Sequence, residues 1–413
     1  MAAPSILYLL MGITLAGYLF NTLLEYLNLR SGRRDIPEKV AAFYDRDKYL
    51  QSLDYHRDKT RFEFLTSGLG VVVSLALLAL GAFGWLDALL RLYVQSPILL
   101  ALSFFAVLAI VSDIATLPFQ WYETFVIEEK YGFNKMTPQT FLTDKLKGYV
   151  LGALFGGSLL STLIVLSEKI GPGFWIWFGV IAAAFILLMN MFYTTLILPL
   201  FNKLTPLPDG ELKSAIEEFA RKVKFPLDNI FVMDGSRRSK KANAFFSGIG
   251  TKKKIVLFDT LVENHRTEEL VAVLAHEVGH FKKKHIIVSY LLAVAQIFFI
   301  LFVLSKMMFS SELSRALGGT QPAIHLNLLA FGILFSPISG VIGLLMSLYS
   351  RRNEYEADAF ARLTYNGQAL AEALKRLSVD SLSNLYPHPA YVFFHYSHPP
   401  LLDRLRALEQ PQA

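Results

Sequence analysis

His276, Glu277 and His280 stand in the order H-E-x-x-H within VAVLAHEVGHFKKKH. On an α-helix, positions i and i+4 share a face one turn apart. Both imidazoles can therefore reach one ion while Glu277 projects beside them. Two zinc ligands and a carboxylate placed to take a proton from water are the parts of a hydrolytic zinc site. The flanking residues fit a helix. Thr267 is the predicted N-cap, Glu268 and Glu269 suit the positive first turn, and Leu270, Val273, Leu274 and Val278 form an apolar face. Two surface histidines on an amphipathic helix are the plainer alternative.

A hydrolytic zinc keeps three protein ligands and one open position. The segment RRNEYEADAFARL supplies a third ligand in Glu354. Asp358, four residues on, shares its helical face and can accept the free N–H of a ligand histidine. Glu356 lies about 200° around from Glu354 and would point elsewhere. A solvated charged face is the alternative for these acids. The site as read holds one Zn2+ per chain. His56, His265, His285 and His325 stand alone and read as structural or exposed. His388, His395 and His398 cluster in YPHPAYVFFHYSHPPLLDRLRAL, where Ser397-His398-Pro399-Pro400 makes a stiff turn and Arg404 follows six residues later. A His and an Arg beside the metal could steady the oxyanion formed when water attacks a peptide carbonyl. Spacing alone leaves that role open.

These residues must be held by a chain that is itself unusually apolar. Of 413 residues, 53% are hydrophobic, and the mean hydropathy is +0.41. Such a composition points to several membrane spans. Cysteine is absent, which excludes disulfides and thiolate-held zinc. Seven stretches are long enough to cross a bilayer: 4–28, 64–84, 97–118, 149–166, 175–198, 286–308 and 326–349. Gly152 and Gly156 in the fourth form a G-x-x-x-G pair, read as helix packing.

The net charge of +6 records topology here rather than nucleic-acid binding. With the N-terminus outside and the spans alternating, the inside segments 29–63, 119–148, 199–285 and 350–413 hold 36 of the 40 Lys and Arg residues. The orientation is N-out and C-in. Residues 1–198 then carry spans one to five with cytosolic loops 29–63 and 119–148, and 286–349 carry spans six and seven. The insertion 199–285 holds HEVGH, and 350–413 holds the third ligand and the SHPP turn. Residues 29–63 read as helix near the headgroups. Residues 119–148 read as a structured loop with a Gly-Phe-Asn turn. Within the insertion, Asp209 to Lys224 reads as a helix, with strands at Asn229–Met233, Ala242–Phe246 and Ile255–Phe258. The HEVGH helix is predicted to run through Lys282, Lys283 and Lys284 into the sixth span.

Together these segments resemble the integral-membrane zinc metalloproteases of the type I CAAX prenyl protease family. The resemblance covers nearly the whole chain, through YETFVIEEKYGFNKMT, KANAFFSGIGTKKKIVLFDTL, HEVGH, RRNEYEADAFA and YSHPPLLDRL. It implies a mainly α fold: a seven-helix transmembrane barrel enclosing a chamber, with a small α+β zinc-metalloprotease domain on the cytosolic side. It implies zinc on His276, His280 and Glu354, and Glu277 as base. His398 and Arg404 match positions that contact substrate or oxyanion. Asn243 matches a position on an edge strand that aligns substrate backbone. The implied substrate is a peptide or protein with a prenylated Cys near its C-terminus, met beside membrane lipid. From it the last three residues are cut. A bacterial inner membrane is the favoured location, with the endoplasmic reticulum as the alternative, since no C-terminal retention signal stands out.

Three other readings compete. A membrane quality-control protease would share the chemistry and take unprenylated substrates. A transporter would show repeats or ionisable groups at midplane, which these spans lack. A zinc scaffold would close its site with four ligands and need no base.

Overall fold

Apolar stretches some 20 residues long satisfy their own backbone groups only as helices, and helices dominate the computed structural model, which describes residues 2–247 and 253–409. In chain order they are α1 (Ala3–Ser31), α2 (Arg46–Ala79), α3 (Ala82–Arg91), α4 (Pro97–Tyr122), α5 (Pro138–Leu151), α6 (Gly157–Ile170), α7 (Phe174–Phe192) and α8 (Leu198–Phe201). Then come α9 (Glu211–Lys222), α10 (Asp259–Asn264), α11 (Thr267–Lys282), α12 (His285–Met307), α13 (Ser311–Ala316), α14 (Ile324–Thr364), α15 (Gly367–Asp380), α16 (Pro389–His395) and α17 (Leu401–Glu409). Among the described residues, six helical runs are long and apolar enough to cross a membrane. The chain is a multi-pass membrane protein.

Where seven spans were predicted, the fourth and fifth share the 64-residue run Pro138–Phe201. Straight, that run would be about 96 Å long, three times the hydrocarbon thickness. It is bent back instead. Gly171 takes φ 64° at the Gly171–Gly173 turn, and the ring centroids of Phe155 and Phe185 lie 5.7 Å apart. The Gly152/Gly156 pair does not pack a helix: a Cβ at either position would meet nothing within 4 Å. Those residues form a wider π-type turn, Gly152–Gly156, inside the run.

Two helices outreach the bilayer. At 1.5 Å per residue, the 41 residues of α14 span about 60 Å and the 34 of α2 about 50 Å, against a core of about 30 Å. Residues 46–63 form the polar start of α2 and run without a break into its apolar half. The polar end of α14 carries Glu354 and Asp358 on the same helix as its apolar stretch.

The insertion folds as a four-stranded sheet in the order β1-β2-β4-β3, with β1 (Leu204–Pro206), β2 (Leu227–Met233), β3 (Ala244–Ser247) and β4 (Lys253–Phe258). Strands β2 and β4 are parallel, and the outer pairs β1/β2 and β3/β4 are antiparallel. Residues 248–252 of the KANAFFSGIGTKKK stretch lie outside the described residues. The short β1 was not foreseen, because three residues ending in proline show no alternation. Helix α11 packs on α14, α15 and α9, with Val271, Ala272, Ala275 and Val278 fully buried. Burying such a side chain stabilises by about 1.5–3 kcal/mol for a valine-sized group.

The loop after α4 anchors the start of β3. Gly132 (φ 76°) turns the chain, and Asn134 Oδ1 accepts the Met136 N–H at 2.9 Å, forming the predicted turn. Lys135 N donates to Arg238 O at 3.0 Å and Lys240 N to Phe133 O at 3.1 Å. Arg238 forks onto Asp144 at 2.8 and 3.1 Å. Lys241 donates to Glu128 Oε2 at 3.1 Å, and Tyr55 of α2 donates to Glu128 Oε1 at 2.6 Å.

Candidate active site

Helix α11 begins one residue earlier than predicted. Arg266, not Thr267, is its cap, in extended conformation with its N–H given to Glu269 Oε2 at 3.1 Å. The helix then presents His276 and His280 to α14, and Gly279 sets how closely. A Cβ on Gly279 would sit 3.0 Å from Ala357 Cα, 3.1 Å from Phe360 Cβ and 3.2 Å from Ala357 O. Only a glycine lets the two backbones come this near without displacing one of them.

That approach gathers the three proposed ligands. Donor atoms of His276, His280 and Glu354 all lie within 4.8 Å of one another. The two Nε2 atoms are 3.2 Å apart. Glu354 Oε2 is 3.5 Å from His276 Nε2, and Oε1 is 3.3 Å from His280 Nε2. Glu354 Oε2 is buried with no hydrogen-bond partner among the described residues, so a cation at this point would satisfy it. Burial lowers the His276 imidazole, yet hydrogen bonds to the Asp358 and Glu354 carboxylates hold it up at about 9. The pocket therefore favours positive charge at that spot. Two imidazoles and one carboxylate on an open face fit a hydrolytic zinc.

Around the trio the sequence-predicted residues fall into place unequally. Asp358 lies 2.8 Å from His276 Nδ1, the contact predicted for it. Arg404, on α17, donates from Nε and Nη2 to Asp358 at 2.8 and 2.6 Å, and its Nη1 lies 3.5 Å from Glu354 Oε2. Its fork is thus largely spent on Asp358. His398, in the SHPP turn, has Nε2 3.3 Å from Glu354 Oε1 and a side chain more than half exposed. Glu277 is partly buried, and the loss of water raises its carboxyl above the usual range. A carboxyl so shifted suits a group that must take and return a proton. Asn243 is exposed, immediately before the edge strand β3, with its Oδ1 accepting the Ala244 N–H at 2.8 Å.

One residue beside the ligands was missed. His285 is buried, with Nδ1 3.1 Å from His280 Nδ1 and Nε2 3.3 Å from Glu356 Oε2. Glu356 does point away from Glu354, as its helical position requires, and His285 is where it points. No periodicity signals this contact, because a break at Lys284 creates it. A cavity of about 710 Å3 opens beside the site, lined by His398 and Arg404 and also by Tyr55, Lys241, Glu25 and Tyr391.

Comparison with known proteins places this geometry in a family. Residues 25–203 match the model of the CAAX prenyl protease N-terminal region, described as five membrane helices, and residues 206–412 match that of peptidase family M48. The chain belongs to peptidase family M48. It is a metalloprotease with its peptidase half attached to a membrane-helical half. This M48 chain is 36% identical to the CAAX prenyl protease 1 homolog of Arabidopsis thaliana, over 96% of each chain. It is 34% identical to CAAX prenyl protease 1 of Saccharomyces cerevisiae, over 96% of this chain and 94% of that one. The crystal structure of S. mikatae Ste24p aligns with a TM-score of 0.93 at 32% identity, covering 98% of the M48 chain and 99% of Ste24p.

Proposed function

We propose that the protein is a zinc endopeptidase that removes the last three residues from proteins ending in a CAAX motif with a prenylated Cys. The observation that carries this reading is the gathering of His276, His280 and Glu354 in a chain that matches CAAX prenyl protease relatives along nearly its full length. One zinc on these residues would supply a Lewis acid for the scissile carbonyl and lower the pKa of water toward 7.

The chain's own groups do the rest. Glu277 accepts a proton from the attacking water and passes it to the leaving amine. His398 Nε2 and Arg404 Nη1 border the Glu354 side of the site, where they would steady the oxyanion; losing one such donor costs about 3–4 kcal/mol of barrier. Asp358 holds His276 in one orientation. A substrate strand would add to the free side of β3 near Asn243. The apolar membrane half suits a lipid tail, and we read it as a barrel around a chamber.

We further read seven crossings. The folded-back run Pro138–Phe201 counts as two, giving five in the N-terminal half, and α12 and α14 complete seven. The proposed orientation is N-out and C-in, from the basic residues on one side. A bacterial inner membrane is proposed, with the endoplasmic reticulum as the alternative that the eukaryotic relatives favour.

Hydrolysis of a farnesylated CAAX peptide by the purified protein tests the substrate, beside an unprenylated twin, a chelator-treated sample and Glu277→Gln. Cleavage releasing three residues, sensitive to chelator and to Glu277→Gln, is expected. Equal cleavage of both peptides would keep the protease and turn the substrate toward membrane quality control.

A further inference from the structure

The two ligand histidines are backed differently. His276 Nδ1 meets a carboxylate directly, at Asp358. His280 Nδ1 meets another imidazole, His285 Nδ1, at 3.1 Å, with the rings 5.2 Å apart and inclined at 71°. From there the contacts continue: His285 Nε2 to Glu356 Oε2 at 3.3 Å, and Arg352 Nε to Glu356 Oε1 at 3.0 Å.

Each atom in this series can play only one part. His280 Nε2 faces His276 and Glu354, so as a ligand it carries its proton on Nδ1. That proton is donated to His285 Nδ1, which must accept. His285 then holds its own proton on Nε2 and donates it to Glu356, which Arg352 holds in place. The tautomers of both rings are fixed from the far end.

The backbone is bent to make this contact. In a continuous helix His285 would lie about 140° around from His280. Instead α11 stops, Lys284 takes the left-handed conformation at φ 62°, and α12 starts afresh at His285. A side-chain-bearing residue disfavours that conformation. The result is a buried His285 aimed back at the ligand it follows by five residues.

We propose that His285 is a positioning residue for the metal: it orients His280 through a relay to Glu356, joining α11, α12 and α14 behind the ion. This rests on the zinc reading above. It extends a common device, in which a ligand histidine gives its second N–H to a carboxylate, by one intervening ring.

The test is zinc affinity of the full-length, detergent-solubilised protein, measured by competition with a chelator. His285→Phe keeps the bulk and removes donor and acceptor; it should weaken zinc binding about 10–100-fold. His285→Gln offers an acceptor and a donor and should recover most of that loss. Glu356→Gln should weaken binding less, and should add nothing in the His285→Phe background. Unfolding temperatures of the zinc-free forms should stay together across the set, separating metal affinity from packing. Unchanged affinity in His285→Phe overturns the proposal, as does His285→Gln binding no better than His285→Phe. Should His285→Phe fail to fold, unchanged affinity in Glu356→Gln alone overturns it. Wild-type protein that takes up no zinc would defeat the zinc reading instead.

Discussion

Asp358 is 1% exposed and touches two partners, the His276 ring and both arms of the Arg404 fork. A carboxylate buried this deeply depends on its cation. Arg404→Ala should destabilise the protein by about 3–5 kcal/mol, because it strands that charge. Adding Asp358→Asn should return part of the loss, and thermal unfolding of the single and double variants measures it. Glu277→Gln makes a different prediction, since the proposed role of its carboxyl is proton transfer and not binding of the ion. Peptide hydrolysis should fall about 100- to 10,000-fold while bound zinc, counted by metal analysis, stays at the wild-type level. These side chains were legible in the sequence because i and i+4 spacing maps directly onto one helical face. The distances between segments were not legible. Arg404 was read as facing the oxyanion, and only the packed structure reveals how much of its fork Asp358 occupies.

At the scale of elements, the decisive contact is α11 on α14, with Gly279 at its closest point. Gly279→Ala should push the helices apart by a few tenths of an ångström and cost about 1–3 kcal/mol, read as a lower unfolding temperature. The site should also bind zinc more weakly, since two ligands ride on one helix and one on the other. The turn into α11 carries a pH dependence. Burial pushes the His265 imidazole down, with Asp380 and Glu269 opposing and Arg376 reinforcing. Its Nδ1 lies 3.2 Å from Leu261 O, and its Nε2 is buried without a partner among the described residues. Above about pH 6.5 the ring is neutral whether folded or unfolded, so stability is full. As pH falls below that, the unfolded chain takes up the proton and the folded one resists, so stability declines. His265→Gln should lose less stability between about pH 6.5 and 5, measured by unfolding across that range. The helices and most of the strands were legible from apolar periodicity. The end of α11 was not: three lysines before a histidine continue a helix as readily as they break one, and the left-handed Lys284 answers to the packing of His285.

For the whole molecule, the absence of native cysteine gives a clean route to topology. With single cysteines introduced, an impermeant thiol reagent applied outside should label Gly173→Cys and spare Thr205→Cys; reversed membranes should give the reverse. Labelling of both from one side would remove the fold-back as a pair of crossings. Zinc should also stabilise the assembled protein by mass action, by about 2.7 kcal/mol when free zinc is a hundred times its Kd. Chelation should lower the unfolding temperature of wild type and leave a His276→Ala/His280→Ala variant unmoved. The membrane half was legible from hydropathy, since that is a sum along the chain. How the fourth and fifth spans join was less so, because a Gly-Pro-Gly turn between apolar runs sets no direction by itself.

The three proposed ligands come from two helices, His276 and His280 on α11 and Glu354 on α14; the supporting Asp358 shares α14, and its partner Arg404 lies on α17, further along. Ribosomes build a chain from its N-terminus onward. A nascent protein whose HEVGH helix has already emerged therefore still lacks Glu354, and one that has gained Glu354 still lacks the arginine that lets Asp358 stay charged. On the proposed site, proteolytic competence is expected only once Arg404 has been made and packed. Until then the growing chain would lack a complete site, and its synthesis order alone would delay cleavage.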